Sequence, residues 1–381
     1  MSRDNSTISV LIPDAHSKYM PLVLNCLSLF QNVSMHLLST EKFNAPRFSK
    51  NIKSYTYCRD KTYSEQWVER VQEVIRKHQI DIIMPVQMES FPIFTEFQDV
   101  LPKKVALVPL PEMDSFKIAS NKWFLSKHLE QNGIPGPRTS LFKTSQKSLD
   151  LEFPCLLKPM TDTGGGEGII KFSSLEELRQ YLLEKKEEDA IMIQEFMEGD
   201  PIGCNVLCME GKVLAYTIQK GYLFESNPFS PKVGVSFFKD KKVLHVITKL
   251  METLHWNGVA NIDMIYNYNT KDLKILEINP RFWLGLDVSA LAGVNFPYLY
   301  LLLGLGNSIA MQDYKLEKYV NLKGLYILLK KNPKAAFNFK FLWNNTSLRF
   351  ALKDPLPICY HFIWRSRNII VSKLKKGKMK S

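Results

Sequence analysis

Residues 259–279, VANIDMIYNYNTKDLKILEIN, leave the chain little conformational choice, because two apolar runs around a polar turn make a β-hairpin. Strand residues i and i+2 share a face. Glu277 and Asn279 therefore point one way and Ile278 the other. A turn centred on Thr270 sets Asp263 opposite Glu277, with the roughly 4.5–5.5 Å between Cβ atoms that cross-strand neighbours keep. A slip of one residue would send Asp263 to the other face. Two carboxylates and an amide oxygen suit a hard cation such as Mg²⁺. Arg281, two residues on, can reach an anion held by that cation. Solvated acids on an edge hairpin are the plain alternative.

A second pattern concerns phosphate. FPCLLKP (153–159) is a short apolar run that carries Lys158 at its end. TDTGGGEGI follows, with glycines at Gly164, Gly165, Gly166 and Gly168. Glycine admits positive φ and close backbone approach, and successive N–H groups make an anion nest. Lys158 adds a point charge. No G-K-[ST] closes the loop, and the lysine precedes the glycines, so neither a Walker loop nor a dinucleotide fingerprint is present. Taken alone, the segment reads equally as a flexible hairpin. Further on, AIMIQEFMEGD ends an apolar run at Gln194, Glu195, Phe196 and Met197 and turns at Glu198, Gly199 and Asp200. Such a strand end presents backbone groups to an adenine, and Glu198 or Asp200 could hold ribose hydroxyls.

The fold class expected is α/β. Residues 1–112 alternate strands (TISVLIP, SMHLLST, IDIIMPV, VALVPLP) with helices (MPLVLNCLSLFQ and YSEQWVERVQEVIRKHQ). That alternation implies a parallel sheet. Glu89 follows IDIIMPV, where such a sheet opens a ligand crevice. DSFKIASNKWFLSKHLEQNG reads as one helix closed by Gly133. FSSLEELRQYLLEKK opens on a capping box, Ser173 with Glu176.

Composition narrows the setting. Six cysteines show no C-x-x-C pair, and several sit in apolar runs as buried free thiols. The polar start MSRDNST has no signal-peptide core, and no run of about 20 apolar residues suggests a span. A cytoplasmic location is expected. The net charge is +12, yet no aromatic–basic module of the RNA-binding kind is evident, so no nucleic-acid partner is expected. The tail IWRSRNIIVSKLKKGKMKS holds seven basic residues and no acid. It reads as a solvated end, or as an amphipathic helix in weak contact with an anionic membrane through Ile363, Trp364, Ile370, Val371 and Leu374.

In order, Asn121-Lys122, NGIPGPRT, FPCLLKP, TGGGEG, MIQEFMEG, Asp263, EINPR and SALAGVNFP resemble the ATP-grasp superfamily. The likeness is nearest its carbamoyl-phosphate-synthase-like and D-alanine–D-alanine-ligase-like carboxylate–amine ligases. It implies a pre-ATP-grasp parallel-sheet domain (1–112), a small lobe (113–195), a large lobe with the metal site (196–305) and a basic helical extension (306–381). It implies ATP and Mg²⁺ (or Mn²⁺) as cofactors. Lys122 and Lys158 match the lysines on the ATP phosphates, and Gly164, Gly165, Gly166 and Gly168 the loop that closes over them. Glu195, Phe196 and Met197 match the adenine hinge, with Asp200 at the ribose. Asp263, Glu277 and Asn279 match the metal ligands, and Arg281 the arginine that steadies the transferring phosphoryl group. Lys220 falls where many members place a base near the γ-phosphate.

There are departures. No ribose-binding glutamate is clear, and FWLGLDVSA after EINPR is bulkier than usual, with Phe282 and Trp283 either narrowing an acceptor pocket or filling core. The reaction implied is activation of a carboxylate as an acyl phosphate and its capture by an amine, in an enzyme that is often a dimer. Rival readings are a kinase-like phosphotransfer, a non-catalytic nucleotide-binding module, and a basic scaffold for polyanions.

Overall fold

The computed structural model describes residues 7–364, apart from 61–63, 97–100, 144, 147, 162–167, 186–188 and 226–231. Its α/β architecture rests on three sheets. The first joins β1 (Ile8–Ile12), β2 (Val33–Ser39), β3 (Ile52–Tyr57), β4 (Ile82–Ile83) and β5 (Ala106–Leu107) in the order β3-β2-β1-β4-β5, every pair parallel. Parallel pairing needs crossovers, supplied by α1 (Met20–Leu27) and α2 (Glu65–His78), while α3 (Phe91–Glu96) follows β4. Ser64 caps α2 by accepting the Trp67 amide, and the helix buries Trp67, Val68, Val71, Val74 and Ile75, its periodic apolar set. Strand β3, IKSYTY, was not anticipated. Its partly polar residues are only partly covered, as befits an edge.

The strand order reverses between β1 and β4, and such a switch point opens a crevice at the strands' C-terminal ends. Asp14, just past β1, is wholly buried there. Its carboxylate accepts hydrogen bonds from the Val86 amide (2.9 Å), the Gln87 amide (2.7 Å) and Ser90 Oγ (2.6 Å). The loop after β1 is thereby fastened to the loop after β4.

The second, antiparallel sheet contains β6 (Thr139–Phe142), β7 (Cys155–Lys158), β8 (Ile170–Phe172) and β9 (Ile191–Glu195), ordered β6-β9-β7-β8. The helix that follows β8 covers Leu175–Lys185, and its capping box lies one residue beyond the expected one: Ser174 Oγ accepts the Glu177 amide, and Glu177 accepts the Ser173 amide.

The third sheet contains β10 (Asp200–Met209), β11 (Lys212–Phe224), β12 (Lys232–Phe238), β13 (Gly258–Tyr266), β14 (Leu273–Asn279) and β15 (Lys318–Val320). Its order is β14-β13-β10-β11-β12-β15, all antiparallel. The last strand comes from the stretch expected to be a helical extension. The single helix expected before Gly133 is two, α4 (Met113–Ser120) and α5 (Lys122–Gln131), interrupted by an extended Asn121 (φ −126°, ψ 117°). With α6 as Leu175–Lys185 and α7 as Lys241–Thr253, it is α5 and α7 that cover one face of the large sheet. They share a core of Leu125, Leu129, Ile247, Leu250, Ile262 and Ile275. Residues 113–134 therefore pack on the large sheet rather than on the small one.

On the other face, α8 (Leu286–Ala292) and α9 (Phe296–Gly304) meet α1 and the first sheet. Phe282 and Trp283 are buried here beside Phe296 and Tyr300, so they are core. The chain closes with α10 (Leu322–Lys331), α11 (Phe339–Asn344), α12 (Leu348–Lys353) and a helical stretch over 356–364. Asp354 ties this extension to the first sheet through the Lys50 amide (3.3 Å), Asn51 Nδ2 (3.1 Å) and Ser49 Oγ, and Tyr360 stacks on Phe48.

Candidate functional site

The hairpin β13–β14 places the acids. Tyr266, Ile265 and Met264 pair with Leu273, Lys274 and Ile275, a register that taken alone would set Asp263 against Leu276. A bulge between Asp263 and Met264 advances the pairing by one residue, so that Asp263 faces Glu277 and Asn261 faces Asn279. The bulge also resets the alternation. Leu273 and Ile275 lie in the core, and so does Ile278, leaving Glu277 to the cleft. Without it Glu277 would share a face with Ile275 and point into the core.

Four cations gather round this pair. Lys122 Nζ lies 2.9 Å from Glu277 Oε2. Lys122 is the first residue of α5; Asn121 Oδ1 caps the helix on the Trp123 and Phe124 amides, and the Lys122 amide donates to Met160 O (2.7 Å). That bond joins Lys122 to the edge of the glycine segment. Lys232 Nζ on β12 lies 3.8 Å from Asp263 Oδ1. Lys158, at the end of β7, is 7 % exposed, and its ammonium donates to the neutral Gln194 Oε1 at 2.6 Å. Burial lowers its pKa to about 8, against the pull of Glu277 and with the push of Lys122. Arg281 donates from Nη2 to Asn279 Oδ1 (2.7 Å) and lies over the Tyr19 ring, 5.0 Å from its centroid. Tyr19 belongs to the loop that leaves β1, so the arginine meets the crevice of the first sheet.

A buried amide ladder runs beside the acids. Asn279 Nδ2 faces Asn261 Oδ1 (3.4 Å), Asn261 Nδ2 donates to Asn205 Oδ1 (2.9 Å), and Asn205 Nδ2 donates to Thr217 Oγ1 (3.0 Å). Asn279 Nδ2 also faces Asp263 Oδ2 (3.2 Å) and Glu277 Oε1 (3.3 Å). The amide thus turns its nitrogen to the carboxylates and its oxygen to Arg281. A cation taking Asn279 as an oxygen ligand would require the amide to turn over. Burial and the neighbouring Glu277 raise the Asp263 pKa to about 6, while Lys232 and Arg281 hold it down.

These residues fit a divalent cation with a polyphosphate. The oxygen donors are hard, and Mg²⁺ takes one or two carboxylates plus phosphate oxygens rather than an all-protein cage. Among the described residues no group of three or more His, Cys, Asp or Glu is placed to hold a metal ion. Lys122, Lys158, Lys232 and Arg281 outnumber Asp263 and Glu277, and Lys158 is buried on a neutral partner. That surplus of positive charge is what a phosphate chain would neutralise.

Other expected residues lie elsewhere. Lys220 is on the opposite face of the large sheet: its row, with Ile202 and Met264, faces the core, and its ammonium pairs with Asp200 Oδ2 at 2.7 Å. Alternation separates it from Gln219, whose row carries Asp263 and Glu277. Lys232 and Tyr19 take part in the cluster without a signal in their own strings, and Gln194, at the end of the apolar run AIMIQEF, joins it through Lys158. Glu195 accepts from the Arg138 amide (2.8 Å) and from Lys274 Nζ, so its carboxylate links the small and large sheets. Phe196 lies under Lys171, whose Nζ is 3.8 Å from the ring centroid, and Met197 is half-buried on the following turn. Glu89 is exposed; its neighbour Met88 lines the same small cleft as Lys122, Glu277 and Asn279. Gly168 has φ +80°, with Pro159 Cγ 2.8 Å from where a Cβ would stand. Gly164, Gly165 and Gly166 lie outside the described residues.

Comparison with known proteins bears on the domain and the fold. Residues 119–284 match the family model described as an ATP-grasp domain. The chain is 28% identical over 190 residues to a D-alanine--D-alanine ligase of Aquifex aeolicus, a match over 45% of this chain and 64% of that protein. To the enzyme of the same name from Paracidovorax citrulli it is 23% identical over 186 residues, 44% of this chain and 55% of that one. The chain thus spans less than two thirds of the length of these relatives. Among solved structures, N5-carboxyaminoimidazole synthetase from Staphylococcus aureus complexed with ADP superposes with a TM-score of 0.64 at 12% identity, over 87% of this chain and 86% of that one. L-amino acid ligase from Bacillus licheniformis gives 0.55 at 16% identity, over 80% and 75%. Family model and fold coincide on one stretch: residues 119–284 carry an ATP-grasp domain.

Proposed function

We propose that this chain is an ATP- and Mg²⁺-dependent ligase that joins a carboxylate to an amine. The observation that carries the reading is the convergence of Lys122, Lys158, Lys232 and Arg281 on the Asp263–Glu277 pair, between the small and large sheets. The names of the relatives, a D-alanine--D-alanine ligase and an L-amino acid ligase, support the same class of chemistry. The small sheet (139–195) and the large sheet with the helices of residues 113–134 packed on it are proposed as the two lobes that take the nucleotide between them.

Lys122 and Lys158 would hold the β- and γ-phosphates, and Gly168 with the glycines before it would close over them. Glu195, Phe196 and Met197 would border the adenine, whereas Asp200, held by Lys220 on the opposite face of the large sheet, is not assigned to the ribose. Asp263 and Glu277, with Asn279 turned over, would hold Mg²⁺, which when bound neutralises phosphate oxygens and orients them. Arg281 would steady the γ-phosphoryl group in flight. The substrate carboxylate oxygen attacks the γ-phosphorus, the bond to the β-phosphate oxygen breaks, and ADP leaves. The amine nitrogen then attacks the acyl carbon, phosphate departs, and the nitrogen loses a proton. Position and charge compensation do most of this work.

The test is ADP release by the purified chain with Mg-ATP, across pooled amino acids and small carboxylates, beside Glu277→Ala. Release that needs both a carboxylate and an amine and falls by at least about 10³-fold in the variant supports the ligase. A stable phosphorylated product formed without an amine would replace it with phosphotransfer.

A further inference from the structure

Charge in this chain is segregated. Residues 1–321 carry 36 Lys and Arg against 37 Asp and Glu, whereas residues 322–381 carry 14 Lys and Arg against one acid. The whole surplus of +12 thus belongs to the C-terminal extension. The lone acid there, Asp354, is committed to Ser49, Lys50 and Asn51.

Apolar exposure is concentrated in the same place. Of the 19 exposed large apolar residues among those described, nine lie in residues 322–364. Phe337 and Phe339 are 78% and 73% exposed, and Trp343, Phe362, Ile363 and Trp364 are exposed as well. Lys330, Lys331, Lys334 and Lys340 are exposed among them. Meanwhile Asn345, Thr346, Ser347 and Phe350 are buried, so the extension is anchored to the body along one side. Residues 365–381, outside the described part, add seven basic side chains and no acid in sequence.

A purely polar partner would give no return for exposed Phe and Trp, and a purely apolar one would leave the lysines unpaired. An anionic bilayer surface satisfies both, since aromatic rings settle at the headgroup level and lysines draw on the surface potential. No single helix among the described residues is long and apolar enough to cross a membrane. We infer that the 322–364 face docks the chain on an anionic lipid surface, with the aromatic side chains inserted at the interface and the lysines on the headgroups. This holds independently of the ligase reading, because the face lies outside the cleft residues.

The experiment is flotation of the full-length chain with vesicles of phosphatidylcholine alone and of phosphatidylcholine with phosphatidylglycerol. Binding is expected only to the anionic vesicles and should weaken as salt rises. Joint replacement of Lys330, Lys331 and Lys334 by Gln should lower partitioning on the order of 100-fold. Joint replacement of Phe337, Phe339 and Trp343 by Ser should lower it at least about tenfold. Both variants sit on exposed positions and should keep wild-type thermal unfolding. Absence of binding to anionic vesicles overturns the inference. So does binding indifferent to the aromatic replacements, which would mark a general polyanion patch. A self-associating chain that ignores vesicles, and becomes monomeric when the aromatics are replaced, would assign the face to a second copy instead.

Discussion

Lys158 shows how a single residue can be placed for a ligand at the expense of the fold. Its ammonium is taken from water, and it donates a hydrogen bond to the neutral amide of Gln194. Its pKa in the folded chain is about 8, against an ordinary 10.5. Between these values the unfolded chain binds more protons than the folded one, so stability should rise as pH rises from about 8 to about 10.5. The gain should be about 3 kcal/mol, from roughly 1.4 kcal/mol per pKa unit. Urea denaturation across that range should show the rise in the wild type and lose it in Lys158→Met. The Met variant should also lose nucleotide binding if Lys158 contacts phosphate. The buried amides Asn205, Asn261 and Asn279 are the counterpart: fully partnered, they rigidify the sheet beside the acids.

Among elements, the break between α4 and α5 matters most. A strong helical pattern runs through DSFKIASNKWFLSKHLEQ, yet Asn121 leaves it, caps the next helix and bridges to Thr161. The result is a lysine on the first turn of a helix, beside the strand end that carries Lys158. Asn121→Ala should cost about 1 kcal/mol in thermal unfolding and should weaken ATP binding more than a distant substitution of equal cost. The β14 bulge is the second such element. Local alternation put Glu277 and Asn279 on one face, and a turn centred on Thr270 gave the pair Asp263–Glu277, though the turn lies half a residue earlier and the bulge restores that pair. Neither argument contained the bulge, because a bulge leaves no period in a single strand. The same limit explains Lys220. The resemblance set it near the γ-phosphate, but its face was decided by registers with β10 and β12 that only the folded sheet displays.

For the molecule as a whole, the α/β class and the parallel first sheet were legible because apolar strands and periodic helices alternate in residues 1–112. The polar edge strand β3 was not, since its burial is shallow. The order of sites along the chain pointed to the ATP-grasp superfamily, whereas the packing of residues 113–134 on the large sheet depended on contacts far apart in sequence. Charge segregation also has a practical meaning at the bench. The isoelectric point near 9.2 is set by the last sixty residues, not by residues 1–321. Cleaved near residue 321 and separated in urea, which frees the anchored extension, the chain should therefore yield a slightly acidic fragment from a parent held by a cation exchanger. Chromatographic behaviour alone would then report whether a preparation still carries its C-terminal extension.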